Sequence, residues 1–245
     1  MQAIRIVRHS LRQVFGNLRQ ALLLSVMPLM IQAVLMAAAA LSLMTMRGTQ
    51  PGWGFFVLIV AMGLAAALCV VWLAVRWHRF ILLNDQENLL SPPPRAAVLR
   101  YLATGLVIFL VMLAAGVLAA LFISASSSGG GGPALLVGIV LGVLLYGLIL
   151  ALAVALPGAA IGSPRPIRSA WNAMKPAAGT VILLAIVGFL GSTLINAILT
   201  AADRSALPIG AVLILNLLFY WFWTLITLSV LTTLWGHYVE GRTLR

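Results

Sequence analysis

Few side chains in this chain can exchange a proton, attack a substrate or hold a metal. They are three histidines (His9, His78, His237), four carboxylates (Asp85, Glu87, Asp203, Glu240) and one cysteine, Cys69. Catalysis needs such groups to converge in one place. Cys69 lies inside an apolar run with no second thiol to pair with, so it reads as packing rather than as a disulfide or metal ligand. His9 falls in a basic N-terminal segment, and His78 and His237 close two apolar runs. Brought together with Asp85 or Glu87, His78 and His237 would form an acid–base or metal cluster. Held apart, they are interfacial histidines that accompany tryptophan and arginine as headgroup contacts. No HExxH, paired-cysteine or GxSxG pattern occurs, and no polar segment exceeds about 25 residues, too short for a separate catalytic domain. The inventory points to a protein that is not an enzyme and holds no metal or cofactor, with an intramembrane enzyme using His78 and His237 as an alternative.

The elements that carry these residues are dictated by composition. Of 245 residues 63% are apolar and 8% charged, where soluble domains carry about 25% charged residues. A water-facing surface cannot be built from this chain, and the class that fits is an integral membrane protein. The charge is lopsided, 15 Lys and Arg against 4 Asp and Glu. Such a balance suits either a nucleic-acid binder, with basic residues on one soluble face, or the positive-inside bias of membrane proteins. The loops decide for the second and against nucleic acid.

Residues 1–20 form an amphipathic helix. At 100° per residue Ile4, Val7, Leu11, Val14, Phe15 and Leu18 fall on an arc about 100° wide, with Arg5, Arg8, Arg12 and Arg19 on the adjoining arc. That pattern predicts a helix lying in the interface, guanidinium groups among anionic headgroups. Residues 21–245 hold six runs long enough to cross a hydrocarbon core of about 30 Å, at about 21–44, 55–75, 101–123, 135–156, 179–200 and 209–234. The first run, about 24 residues, is longer than a signal-peptide core, so it is read as a span. The second ends in Trp72-Leu73-Ala74-Val75-Arg76-Trp77-His78-Arg79-Phe80, read as the point where hydrocarbon meets headgroups, with Trp77, His78 and Arg79 as interface contacts. Ser124 to Pro133 reads as a flexible linker, and Pro157 to Lys175 as a loop holding a second short interfacial helix from Pro166. On that helix Ile167, Ala170, Trp171 and Met174 share a face bounded by Arg168 and Lys175. Gly138, Gly142 and Gly147 in the fourth run permit close helix approach, within the monomer or between copies.

Six spans place both termini on one side. Thirteen of the 15 basic residues fall on that side, and only Arg47 and Arg204 on the other, so the basic side is expected to be cytoplasmic. The segment before span one (Leu11 to Arg19) and that before span five (Ile167 to Lys175) match in register, and Trp77-His78 is echoed by Trp235-Gly236-His237-Tyr238. The reading is an all-α polytopic bundle of three hairpins on a common plan, with interfacial helices before spans one and five.

The combination of Trp77-His78-Arg79-Phe80 with Ala155-Leu156-Pro157-Gly158-Ala159-Ala160-Ile161-Gly162 leading to Arg168-Ser169-Ala170-Trp171 resembles a group of bacterial, especially alphaproteobacterial, six-span proteins. These are similar to the YciC-like proteins and to the membrane domain beside some glycerophosphodiester phosphodiesterases. Members of that group often follow the first motif with Gly-Glu, where this chain has Asn84-Asp85, and tend to carry Thr-Arg-Gly where it has Met174-Lys175-Pro176. The resemblance implies the six-span fold in a bacterial inner membrane and no settled activity.

No acidic, basic or histidine side chain lies deep in any run, as an ion-coupled carrier would require. The deep polar groups are Gln32, Asn196, Asn216 and hydroxyls such as Thr224. They either bond between helices, contributing about 0.6–2 kcal/mol each, or line a path for a lipid or small neutral molecule. The expectation is thus a non-catalytic inner-membrane protein that interacts with anionic lipid headgroups or with partner membrane proteins. The headgroup contacts would be Arg5, Arg8, Arg12, Arg19, Arg168 and Trp171 with the Trp77 motif; an uncoupled transporter or channel is the alternative.

Overall fold

A computed structural model describes residues 2–45, 52–86, 90–126, 131–204 and 207–244. The described residues are helical with no strands. In chain order the helices are α1 (Gln2–Gly16), α2 (Leu18–Thr45), α3 (Trp53–Leu83), α4 (Arg95–Ser126), α5 (Gly131–Ala153), α6 (Ala155–Ile161), α7 (Pro166–Met174), α8 (Ala178–Asp203) and α9 (Ile209–Leu234), the last continued by a π-helical turn, Trp235–Val239. Six helical segments are long and apolar enough to cross a membrane: Leu18–Ser42, Trp53–Leu83, Arg95–Ala125, Leu136–Ile161, Ala178–Ala202 and Ile209–Val239. In a bilayer every backbone group must be satisfied within the chain, and a helix does this segment by segment.

Several boundaries differ from the sequence reading. The second span does not end at Val75: α3 runs on to Leu83. Its C-cap, Asn84, is left-handed at φ 54, with its N–H on the Arg79 carbonyl. Asparagine is the usual substitute for glycine in that conformation. Ser124 to Ser126 and Gly131 to Pro133 belong to helices, not to a linker; residues 127–130 lie outside the described residues, as do Arg47 and Glu87. Pro133 is tolerated because the first turn of a helix has no partner for its N–H in any case. The stretch 157–161, read as loop, is the buried helix α6. Pro157 has no N–H for the Ala153 carbonyl, which accounts for the turn at Val154 that separates α5 from α6.

The helices pack unevenly. α2 lies against α3, and α4 against α5 and α6. α8 packs more on α5 than on its chain neighbour α9, while α1 packs chiefly on α9. Two buried clusters fill one end of the bundle. One joins Ile6 of α1, Val154 and Ala155, Ala170 and Met174 of α7, and Leu234 and Trp235. The other joins Val14, Leu24, Val75, Trp77, Phe80, Tyr101 and Leu225. Glycine lets the backbones approach where a side chain would collide: a Cβ on Gly158 of α6 would strike the Trp235 ring, and one on Gly188 of α8 would come within 2.7 Å of the Tyr146 ring. Gly142 and Gly147 face Phe189 and Ala185 of α8, while Gly138 faces open space.

Candidate functional site

The arginine-rich end is held together by its own basic residues. Arg76 is only 5% exposed and donates from Nε and Nη2 to the Ser91 carbonyl at 2.9 and 2.7 Å, with Nη2 also on the Ser91 hydroxyl. It thereby ties α3 to the segment leading into α4. Arg79 pairs with Asp85 at 3.0 Å, Arg100 donates to the Ala159 carbonyl at 3.3 Å, and Arg242 donates to the Leu82 carbonyl at 2.8 Å. Arg79, expected among headgroups, is thus paired within the protein.

Trp77 and His78 require a correction. Both are wholly buried, so protein rather than lipid surrounds them. Trp77 Nε1 donates to Ser229 Oγ at 3.0 Å, and His78 Nδ1 hydrogen-bonds Thr232 Oγ1 at 2.7 Å, whose own hydroxyl donates to the Leu228 carbonyl, while the His78 ring stacks on Tyr101 at 5.9 Å between centroids. The physical reason is the length of α3: the helix carries the motif into the core between α2, α4, α6 and α9 rather than stopping at its edge. The hydroxyls near the end of span six bond within this core. Ser229 and Thr232 bond Trp77 and His78, and Thr233 bonds Ser10 and Gln13 of α1.

His9 and His237 share one cavity, which His78 does not line. His237 contacts Gln2 Nε2 at 2.9 Å through Nε2 and the Arg242 carbonyl at 2.9 Å through Nδ1. It lines a 200 Å³ polar cavity with His9, Gln13, Thr232 and Arg242, while His78 keeps its separate bond to Thr232. Among the described residues no three His, Cys, Asp or Glu side chains gather to hold a metal ion.

α1 shows three consecutive faces. Ala3, Ile6, Ser10 and Val14 are buried, which moves Val14 from the lipid-facing arc to the protein-facing one. Ile4 and Phe15 are exposed, and Arg5, Arg8 and Arg12 are exposed beyond them; Leu18 and Arg19, also exposed, lie past the turn at Asn17 and belong to α2 rather than to a helix over 1–20. On α7, Ala170 and Met174 are buried, Arg168 is exposed and Trp171 is 41% exposed.

Three of the four deep polar residues meet. A partly open cleft of 620 Å³ lies between α2, α3, α8 and α9, with Gln32, Asn196 and Asn216 in its wall beside Ser192, Tyr220 and Trp223. Thr224 does not line it; it borders a 10 Å³ gap next to it, which Gln32 shares. Within this wall the Trp223 ring of α9 packs against Gly191 of α8, where a Cβ would come within 2.7 Å of it. The Nδ2 groups of Asn196 and Asn216 donate to the Ser192 and Val212 carbonyls at 2.8 and 2.9 Å. The Oδ1 of each makes no hydrogen bond among the described residues and is left as an acceptor. Sequence reading missed Met62, Gly63, Tyr220 and Trp223, which also line this cleft. A signal was available in Phe219-Tyr220-Trp221-Phe222-Trp223, a density of aromatics placed within a span rather than at its end.

Fold and composition together define an integral membrane protein with six spanning helices. Compared with protein-family models, curated proteins and solved structures, the chain matches none. The resemblance to the YciC-like proteins therefore rests on the motifs quoted above.

Proposed function

We propose that this protein is a non-catalytic lipid-binding protein of a bacterial inner membrane, with both termini cytoplasmic, and that its principal ligand is an uncharged amphiphile held in the cleft between α2, α3, α8 and α9. The observation that carries the reading is the composition of that wall. It offers 620 Å³ of mostly apolar space with amides from three helices and no charged side chain. Ligand sites are mostly apolar pockets of about 300–1,000 Å³ with a few placed polar groups. A charged head would lie unpaired in a medium of low dielectric, whereas a hydroxyl or amide head could donate to the Asn196 and Asn216 acceptors. The exposed apolar arc of α1 between its buried face and its arginines supports a helix lying in the interface among anionic headgroups. The thirteen-to-two distribution of basic residues supports the orientation. Partner membrane proteins and uncoupled passage of the same amphiphile are compatible with one cleft, and binding is the step they share.

Gly63 offers a direct test. A Cβ there meets nothing within 4 Å, so Gly63→Phe fills the cleft without disturbing the packed end. Lipid extracted from purified wild-type protein should be enriched in a neutral, hydroxyl- or amide-bearing amphiphile relative to the surrounding membrane, and Gly63→Phe should lose the enrichment. Identical lipid profiles for the two would defeat the proposal. A reporter fused to the carboxyl end should be active in the cytoplasm.

A further inference from the structure

We infer a second lipid site, distinct from the cleft: the groove between α5 and α8 that ends under α7 binds one anionic phospholipid of the bilayer. Its acyl chain would lie along the groove and its phosphate against Lys175 and Arg168. The groove encloses 320 Å³ and is walled by Leu144 and Gly147 of α5 and by Val181 and Ile182 of α8, with Trp171 and Lys175 at its mouth. It is apolar along its length and cationic at one end, which is the polarity of an anionic phospholipid.

The headgroup end is built by helical spacing. Arg168 and Lys175 are seven residues apart, so at 100° per residue they point within about 20° of one another, Lys175 lining the groove and Arg168 standing about 10 Å further back along α7. Trp171 lies between them, and all three are exposed. The Lys175 ammonium sits 5.8 Å from the centre of the Trp171 ring, a cation–π distance that steers the ammonium toward the mouth. Tryptophan is itself favoured at headgroup depth. Neither cation is neutralised internally: the ion pairs among the described residues are Arg79–Asp85 and Arg242–Glu240. Ala178, which opens α8, also lines the groove, so the positive end of the α8 dipole is directed at the same position. Basic pockets between helices on the cytoplasmic side are where anionic headgroups bind. The two cations could hold free phosphate, but the groove that Lys175 lines gives a chain-bearing phosphate an advantage that a free one lacks.

This inference rests on the membrane orientation proposed above, and its test separates the two. The full-length protein is placed in bilayer discs of phosphatidylcholine with a graded fraction of phosphatidylglycerol, and retained lipid is counted by native mass spectrometry. The wild type should retain one phosphatidylglycerol with about tenfold preference over phosphatidylcholine. The double variant Arg168→Gln/Lys175→Gln should lose that preference while keeping its thermal stability. Leu144→Trp, at an exposed wall position, should lose bound lipid of either head type, and Gly63→Phe should change nothing. Unchanged selectivity in the double variant overturns the site. So does a Leu144→Trp variant that retains phosphatidylglycerol which inorganic phosphate still displaces, since that describes an anion site without a chain. A carboxyl-terminal reporter active outside the cytoplasm, with lipid selectivity intact, would remove the orientation and leave the site standing.

Discussion

The two halves of the bundle are built differently. At the arginine-rich end, α1, α3, α6, α7 and the end of α9 interlock around Trp77, His78 and Trp235, all with essentially no exposed surface, and guanidinium groups close helix ends and loops. At the other end the spanning helices α2, α3, α8 and α9 line a 620 Å³ cleft, and large apolar residues such as Val34, Val60 and Leu194 are exposed. Hydrocarbon is as good a neighbour for leucine as another helix is, so the second half has little to gain by closing. The first half has polar side chains that must be satisfied internally, and satisfying them draws the helices together.

Mutation should separate the halves by magnitude. The largest loss is expected at the packed end. Trp77→Ala removes a buried ring and strands Ser229, and should lower unfolding stability in detergent by about 3–5 kcal/mol. A loss below 1 kcal/mol would erase the contrast. Gly158→Val, which drives a side chain into the Trp235 ring, should cost about 1–3 kcal/mol, read as a lowered midpoint of thermal unfolding. Arg76→Gln loses charged donation to Ser91 and should cost about 1.5–3 kcal/mol; accelerated proteolysis between α3 and α4 would localise the effect.

In the open half the sign should reverse. Gly63→Leu removes a glycine from the interior of a helix and meets no neighbour, so it should stabilise by up to about 1 kcal/mol while abolishing ligand enrichment. A destabilised variant would mean that the cleft is tighter than its wall indicates. The smallest effect is expected on the exposed arginines: Arg12→Gln should shift stability by less than about 0.5 kcal/mol, yet weaken binding of isolated α1 peptide to anionic vesicles. These two readouts sharpen the comparison, because one residue would matter to the membrane and hardly to the fold.

Much of the architecture was legible in the chain itself. Pro166 opens α7 where its fixed φ suits a first helical residue. The amphipathic spacing of α1 marks the helix, whereas only its packing on α9 places Val14 on the protein-facing stripe. The motif at Trp77 was legible as a landmark and misleading as an environment. Aromatic and basic side chains at the end of an apolar run have the same composition whether they meet headgroups or a neighbouring helix that offers Ser229 and Thr232. The π-helical turn at Trp235–Val239 left no signal in periodicity. Its carbonyl geometry is set by contacts with the tail, in which Trp235 Nε1 donates to Glu240 at 2.8 Å and the Arg242 N–H donates to the Gly236 carbonyl at 2.8 Å.

The sequence by itself determined six membrane-crossing helices and the gathering of basic residues at alternate connections. Hydropathy is a local sum over about 20 residues, and the bilayer admits no other way to satisfy a spanning backbone. Only the tertiary structure decided which flank of each helix meets protein. The spans are apolar on all sides, and lipid tails and leucine side chains are nearly equivalent partners. Helix packing therefore places Trp77 inside, brings Gln32, Asn196 and Asn216 from three separate helices around one cleft, and sets Lys175 at the mouth of another.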